Sequence, residues 1–331
     1  MPMFTKIFTT KPNWAAIGFV VLQMISCTSL MAVVPDVPIR AIINDPVIAA
    51  AGDIACDPNS QSFNGGNGTD THCRQKYTSD LLVNTNLAAV LALGDTQYYC
   101  GSYSAHMLSY DPSWGRVKDI THPTVGNHEY LTDGGTGCTT DNAGAAGYFK
   151  YFGKSAGSRG EGYYSFDVGD WHLISLNSNC GVAGGCSPSS PQGKWLSADL
   201  KAHKNHCTLA FWHIPLFSSG GRDNNNTEML WQQLYDHDAD VILEAHDHIY
   251  ERFAPQTSSG MPDPERGIRS FIVGTGGDEL TEIVTTADNS EVRNASVFGV
   301  LMLTLHADSY EWNFVPEAGQ TFTDTGSGLC H

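Results

Sequence analysis

The sequence is poor in positive charge. Its 331 residues hold 18 Lys or Arg against 35 Asp or Glu, a formal net charge of -17. No basic stripe is present, which argues against binding polymeric nucleic acid through surface electrostatics. The same charge repels small anions at long range, so a phosphorylated substrate would need a local source of attraction. Long hydrophobic runs are also scarce. The apolar stretch from Ala15 to Ile25 is broken by Gly18 and Gln23 and is too short to span a bilayer. No two cysteines have the C-x-x-C spacing of a zinc site, so cysteine–metal chemistry ranks below disulfide formation. There is no internal repeat and no composition typical of disorder.

The start of the chain does carry information. Lys6 and Lys11 precede the short apolar stretch, the pattern of an export signal over residues 1–26. Met24-Ile25-Ser26-Cys27 resembles a bacterial lipoprotein cleavage box. Cleavage there would leave a lipidated Cys27 at a membrane, and cleavage a few residues later would leave a soluble secreted protein. The sequence leaves both open, and either places the protein in the periplasm or outside the cell. Residues 27–46 read as a Pro-containing tether. Beyond Cys27 eight cysteines remain, an even number that suggests up to four disulfides. Cys180–Cys186 and Cys56–Cys73 would each close a Gly-rich loop; the other pairings stay open.

One folded domain is expected over 47–331. Val47 to Ala51 and Ala89 to Leu93 are apolar runs ending in Gly, the pattern of buried strands, with helical spacing from Gln75 to Leu87 between them. Such a β-α-β unit implies a parallel pair. Further strands are expected across Tyr163–Asn177, around a turn at Gly169, and at Leu209–Trp212, Val241–Leu243, Ile268–Val273, Val297–Leu305 and Glu311–Val315. Helices are expected at Pro191–Lys204 and Glu228–His237. The predicted fold class is α/β, a four-layer α/β/β/α sandwich of two mixed β-sheets flanked by helices.

Five short blocks end hydrophobic runs: Gly52-Asp53, Gly94-Asp95-Thr96-Gln97-Tyr98, Gly126-Asn127-His128-Glu129, Trp212-His213 and His246-Asp247-His248. In open α/β sheets functional groups gather at the carboxyl ends of strands, so distant blocks can meet. Each is weak alone, since Asp after Gly is usually a turn or cap residue. Together they supply carboxylates, a phenol, an amide and imidazoles, which suit a pair of first-row metals. Asp95, central in the order, is the natural bridge. Asp53 and Tyr98 would serve one ion, Asn127 and His213 the other, and His246 and His248 one each. Glu129, Asp247, Tyr250 and Arg252 adjoin ligands and are expected to shape the pocket. The remaining histidines, among them His72, His106, His172, His203, His206 and His237, read as structural or surface residues.

These blocks resemble those of the calcineurin-like metallophosphoesterases, over roughly residues 47–315, and the Gly94-to-Tyr98 block is similar to that of the purple acid phosphatases. The resemblance looks closest to single-domain bacterial exported members. It implies Fe(III) held by Asp53, Asp95, Tyr98 and His248, and Zn, Mn or Fe(II) held by Asp95, Asn127, His213 and His246. It also implies that a metal-bound hydroxide is the nucleophile and that His128 contacts the phosphate or protonates the leaving group. The first block departs from the usual Asp-x-Gly by having Ala55, and Ala245 stands where Gly usually precedes the first His of the last block. Many superfamily members have a metal-binding His at the position of Ala55. Its absence here leaves a coordination position for Tyr98, whose phenolate is a hard donor suited to Fe(III). The expected function is hydrolysis of small phosphate monoesters. The alternatives are a diesterase acting on nucleotides or lipid head groups, and a non-catalytic exported phosphate- or metal-binding protein. Oligomeric state is open.

Overall fold

The computed structural model describes residues 45–331. The expected export signal, Cys27 and the tether up to residue 44 lie outside the described residues. Strand β1 (Val47–Ala51) is buried from Ile48 onward, as its uniform apolarity predicts. The chain crosses over through helix α1 (Gln75–Val83) and returns in β2 (Ala89–Leu93), parallel to β1 with Ile48 opposite Ala89. After one turn of α2 (Tyr103–Ala105) and a π-helical turn at His106–Tyr110, β3 (Thr121–Thr124) lies parallel to β2. Sequence periodicity misses these short helical pieces, because three to five residues are fewer than a hydrophobic repeat needs to show itself.

After α3 (Ala146–Phe152) a second sheet begins. β4 (Tyr164–Val168) and β5 (Trp171–Ser175) form the expected hairpin. Helix α4 (Pro191–Ala202) starts at Ser190, whose side chain accepts from the Gly193 amide, with Pro191 at the first turn. β6 (Cys207–Phe211), α5 (Glu228–Tyr235), β7 (Val241–Glu244), β8 (Tyr250–Phe253), β9 (Arg269–Val273) and β10 (Ser290–Asn294) follow. The sheet order is β10-β8-β9-β7-β6-β5-β4, with β5, β6, β7 and β9 parallel. The chain then returns to the first sheet through β11 (Gly299–Leu305), antiparallel to β1, and continues into β12 (Ser309–Pro316) and β13 (Thr325–Leu329). That sheet reads β13-β12-β11-β1-β2-β3. Both sheets are mixed and are flanked by helices, as expected. Among the described residues no helix is long and apolar enough to cross a membrane.

Alternation along the strands accounts for the layers. Leu173, Leu209, Phe211, Val241 and Leu243 pack in one core with Ile48, Leu301 and Leu303 of the first sheet. Their neighbours Ile174, Ala210, Trp212 and Ile242 pack instead with Leu196 and Leu200 of α4 and Leu230, Trp231 and Leu234 of α5. Four disulfides join Cys56–Cys73, Cys100–Cys138, Cys180–Cys186 and Cys207–Cys330. The two loop closures expected from sequence are among them. Cys207–Cys330 spans 123 residues, a separation at which sequence offers no pairing signal.

Candidate metal centre

All five blocks follow strands. Asp53, Asp95 and Asn127 lie just past the carboxyl ends of the parallel strands β1, β2 and β3. His213 and His246 lie past β6 and β7 of the other sheet, and His248 precedes β8. The site therefore forms where the carboxyl edges of the two sheets meet.

The backbone at these turns is constrained. Asp53 (φ 57°), Asp95 (φ 42°) and His246 (φ 69°) occupy the left-handed region, a conformation that for non-Gly residues costs about 1–3 kcal/mol each and tends to persist at functional sites. Gly94 (φ 82°) has a second reason to be glycine, since a Cβ there would come 2.7 Å from the His213 ring. The two departures from the usual glycines are explained locally. Neither Ala55 nor Ala245 has a positive φ. The Cβ of Ala245 fills the space beside Gly52, where a second Cβ would sit 2.6 Å away.

Two groups of donor atoms share Asp95. In the first, the Tyr98 hydroxyl lies 2.7 Å from Asp53 Oδ1, 3.2 Å from Asp95 Oδ2 and 3.0 Å from His248 Nε2. In the second, His213 Nε2 lies 3.2 Å from Asp95 Oδ2, 3.0 Å from Asn127 Oδ1 and 3.2 Å from His246 Nδ1. The structure thus brings together all seven residues singled out as ligands. His213 Nδ1 and His248 Nδ1 donate to the carbonyls of Leu93 (2.8 Å) and Glu279 (3.0 Å). Those bonds fix the tautomers and turn both Nε2 atoms inward, as metal-ligating imidazoles are usually held.

The electrostatics suit a cation. Asp53 and Asp95 are fully buried, and among the described residues no Lys or Arg bonds to either. Burial pushes both carboxyls up, but the neighbouring histidines outweigh it and hold them below the usual range. In return, against their burial, His213 is held up at about 9 by Asp95 and His248 at about 9 by Asp53. Burial, with His213 alongside, pushes His246 down to about 4. Buried carboxylates facing converging imidazole nitrogens, with a phenol and an amide oxygen, form a mixed O/N donor set that fits two first-row metal ions.

A cavity of about 280 Å³ opens over this site. His128 lines it, with Nδ1 2.7 Å from the Tyr99 carbonyl and its backbone N–H donating to Asp95 Oδ1 at 2.9 Å. Among the other lining residues are Arg222, Asp278 and His72, none of which the sequence reading assigned to the pocket. Arg222 stands alone in a Ser-, Gly- and Asn-rich loop, and that isolation was the available signal. Asp278 sits beyond β9 with no motif around it, and burial pushes its carboxyl up to about 7. His72, read from sequence as structural or surface, pairs with Glu279 at 3.1 Å on the rim.

Among the four expected pocket residues the outcome divides. Glu129 is buried beneath the site, where its carboxyl accepts from the Asp95, Thr96 and Gly126 amides at 3.1, 2.7 and 2.7 Å and ties the second block to the third. Asp247 accepts from the Arg222 amide at 3.2 Å. Tyr250 and Arg252 do not line the cavity. Both bond to Asp324, each at 2.7 Å, because alternation along β8 directs them toward the chain beyond β12.

Comparison with known proteins bears on the family. Two curated plant proteins from Arabidopsis thaliana are similar in sequence: Purple acid phosphatase 18, 30% identical over 132 residues (38% of this chain), and Purple acid phosphatase 13, 30% identical over 172 residues (46% of this chain). The matches span 29% and 30% of those proteins' length. Among solved structures, a purple acid phosphatase from yellow lupin (Lupinus luteus) seeds superposes with a TM-score of 0.66 at 18% identity, covering 85% of this chain and 53% of that one, a likeness of fold. Residues 47–250 match the calcineurin-like phosphoesterases, and the chain belongs to that family.

Proposed function

We propose that this protein is an exported, metal-dependent phosphoester hydrolase of the purple acid phosphatase type, acting on small phosphate monoesters through a dinuclear centre. The position of Tyr98 carries the reading. Its hydroxyl contacts Asp53, Asp95 and His248 together, and its amide donates to the carbonyl of Ala55 at 2.8 Å, where many relatives would have a ligand His. Asp53, Asp95, Tyr98 and His248 would hold Fe(III). Asp95, Asn127, His213 and His246 would hold Zn, Mn or Fe(II). When bound, the pair supplies the positive charge that the acidic surface lacks and lowers the pKa of water toward neutrality.

The chain's own groups do the rest. His128 donates Nδ1–H to the Tyr99 carbonyl, which orients the ring and leaves Nε2 facing the cavity, 3.9 Å from Asp95 Oδ2. That nitrogen holds the proton for the departing alkoxide. Arg222, 4.0 Å from Asp247, offers the rim a positive charge for the phosphate. Residues 47–331 form the catalytic domain in this reading, preceded by the signal and tether. The four disulfides favour an oxidising compartment. Cleavage before a lipidated Cys27 and cleavage a few residues later, giving a soluble protein, both fit this reading.

Metal analysis with a visible spectrum tests the assignment. Iron with a second metal and a tyrosinate-to-iron charge-transfer band are expected, together with faster hydrolysis of p-nitrophenyl phosphate than of its diester. A band unchanged in Tyr98→Phe overturns the ligand role of Tyr98. A preference for the diester overturns the monoesterase reading. Hydrolysis unaffected by His128→Ala overturns the proton-donor role.

A further inference from the structure

A second cluster of donor atoms lies at the opposite end of the second sheet, near the amino ends of β5 and β6. His172, the second residue of β5, faces α4 and is almost fully buried. Its Nδ1 lies 2.8 Å from Asp167 and its Nε2 lies 2.9 Å from Asp199 Oδ2. His203, just past α4, stacks on His172 with ring centroids 4.0 Å apart, and its Nδ1 lies 2.9 Å from the Asp199 backbone carbonyl and 3.3 Å from Asp199 Oδ1. One donor atom from each of His172, Asp199 and His203 lies within 4.8 Å of the others. Beside them is a cavity of about 400 Å³, lined also by His206 and His237.

We propose that His172, Asp199 and His203 bind one divalent ion of the zinc class, separate from the catalytic centre. Two imidazoles and a carboxylate, with a fourth position open to the cavity, form a donor set that zinc accepts. The surroundings are those of a built site. A ligating His commonly gives its other ring nitrogen to a carboxylate, and Asp167 stands in that place behind His172. Asp199 is itself oriented by the Ser165 hydroxyl at 2.8 Å. His203 is partly exposed, so its ring can turn toward an ion at little cost. Without a cation, a proton on His172 balances Asp167 and Asp199, and the two carboxylates raise its pKa against burial. A bound ion takes over that balance and joins the end of α4 to β5. The site would stabilise this edge of the sheet and leave hydrolysis unchanged.

The test is a zinc titration of metal-stripped full-length protein, followed by calorimetry. Wild type is expected to bind one more Zn(II) per chain than His203→Ala, with equal hydrolysis by both once reloaded. His203 is partly exposed, so its truncation should leave the fold intact. Asp199→Asn should weaken binding of that ion at least about tenfold. In Asp95→Asn the His203-dependent ion should persist, which separates this site from the catalytic pair. Equal numbers of ions bound by wild type and His203→Ala would overturn the proposal, whatever becomes of the dinuclear reading.

Discussion

The two sheets contribute different chemistry to the same site. The loops of the first sheet bring oxygen donors: Asp53, Asp95, Tyr98 and Asn127. The loops of the second bring nitrogen donors: His213, His246 and His248. Neither half is tolerable alone. The first buries two carboxylates to which, among the described residues, no Lys or Arg bonds, and the second crowds imidazoles together. Packed edge to edge, each half stabilises the charge of the other, and His213 and His248 carry the raised pKa values that show it. His246 has His213 alongside and is pushed the other way. The difference teaches that this centre is a property of the interface between sheets.

The largest test removes one donor from each half. Asp95→Asn and His213→Ala should each lower kcat on the order of 10^3-fold, the scale of losing electrostatic stabilisation of the transition state, read together with metal content. A variant that keeps most activity would show that its half is dispensable.

Stability of the metal-free protein against pH comes next. His213 and His248 rise from 6.5 to about 9 on folding, so their contribution is complete below pH 6.5 and lost as pH rises through 9. Asp53 and Asp95 are depressed, so the same pairs also need a pH above 3.8. His246, held down at about 4, costs stability as pH falls from 6.5 toward 4, so the unfolding free energy of the metal-free form, read from melting curves, should peak near pH 6.5. It should fall by pH 9.5, by on the order of 3 kcal/mol for each imidazole–carboxylate pair. A flat profile would break the charge-exchange account.

His128→Ala should cost about 10^2-fold in kcat while both metals stay bound, since this side chain touches the site without belonging to either donor group. Rate assays beside metal analysis check it. Arg222→Ala should raise KM about fivefold with kcat nearly unchanged, the scale of an exposed charge contact. A larger effect on kcat would move Arg222 from binding to chemistry.

Much of this was legible in the chain. β1 and β2 showed because five consecutive apolar residues followed by Gly have few other uses. The candidate ligands showed because their blocks stand next to the ends of strands. Arg222 and Asp278 did not show, because loops carry no period and only folding sets what they face. Tyr250 and Arg252 were misjudged for a related reason: closeness to His248 in sequence says nothing about which face of β8 a side chain takes. Glu129 was noticed as a neighbour of His128, but its grip on the Asp95 and Gly126 amides is visible only in space.

By itself the sequence determined the strand ends and the donor types; the reading of Ala55 as a vacant ligand position came from the resemblance and stays with the proposal. Strand ends and donor types are local, set by the hydrophobicity of a few neighbouring residues and by the chemistry of single side chains. The tertiary structure alone decided which donors share Asp95, which histidines carry raised pKa values, how Cys207 meets Cys330, and that His172 and His203 stack beside Asp199. Each depends on distances between segments far apart in the chain, and those distances are fixed only when the two sheets bury their shared face.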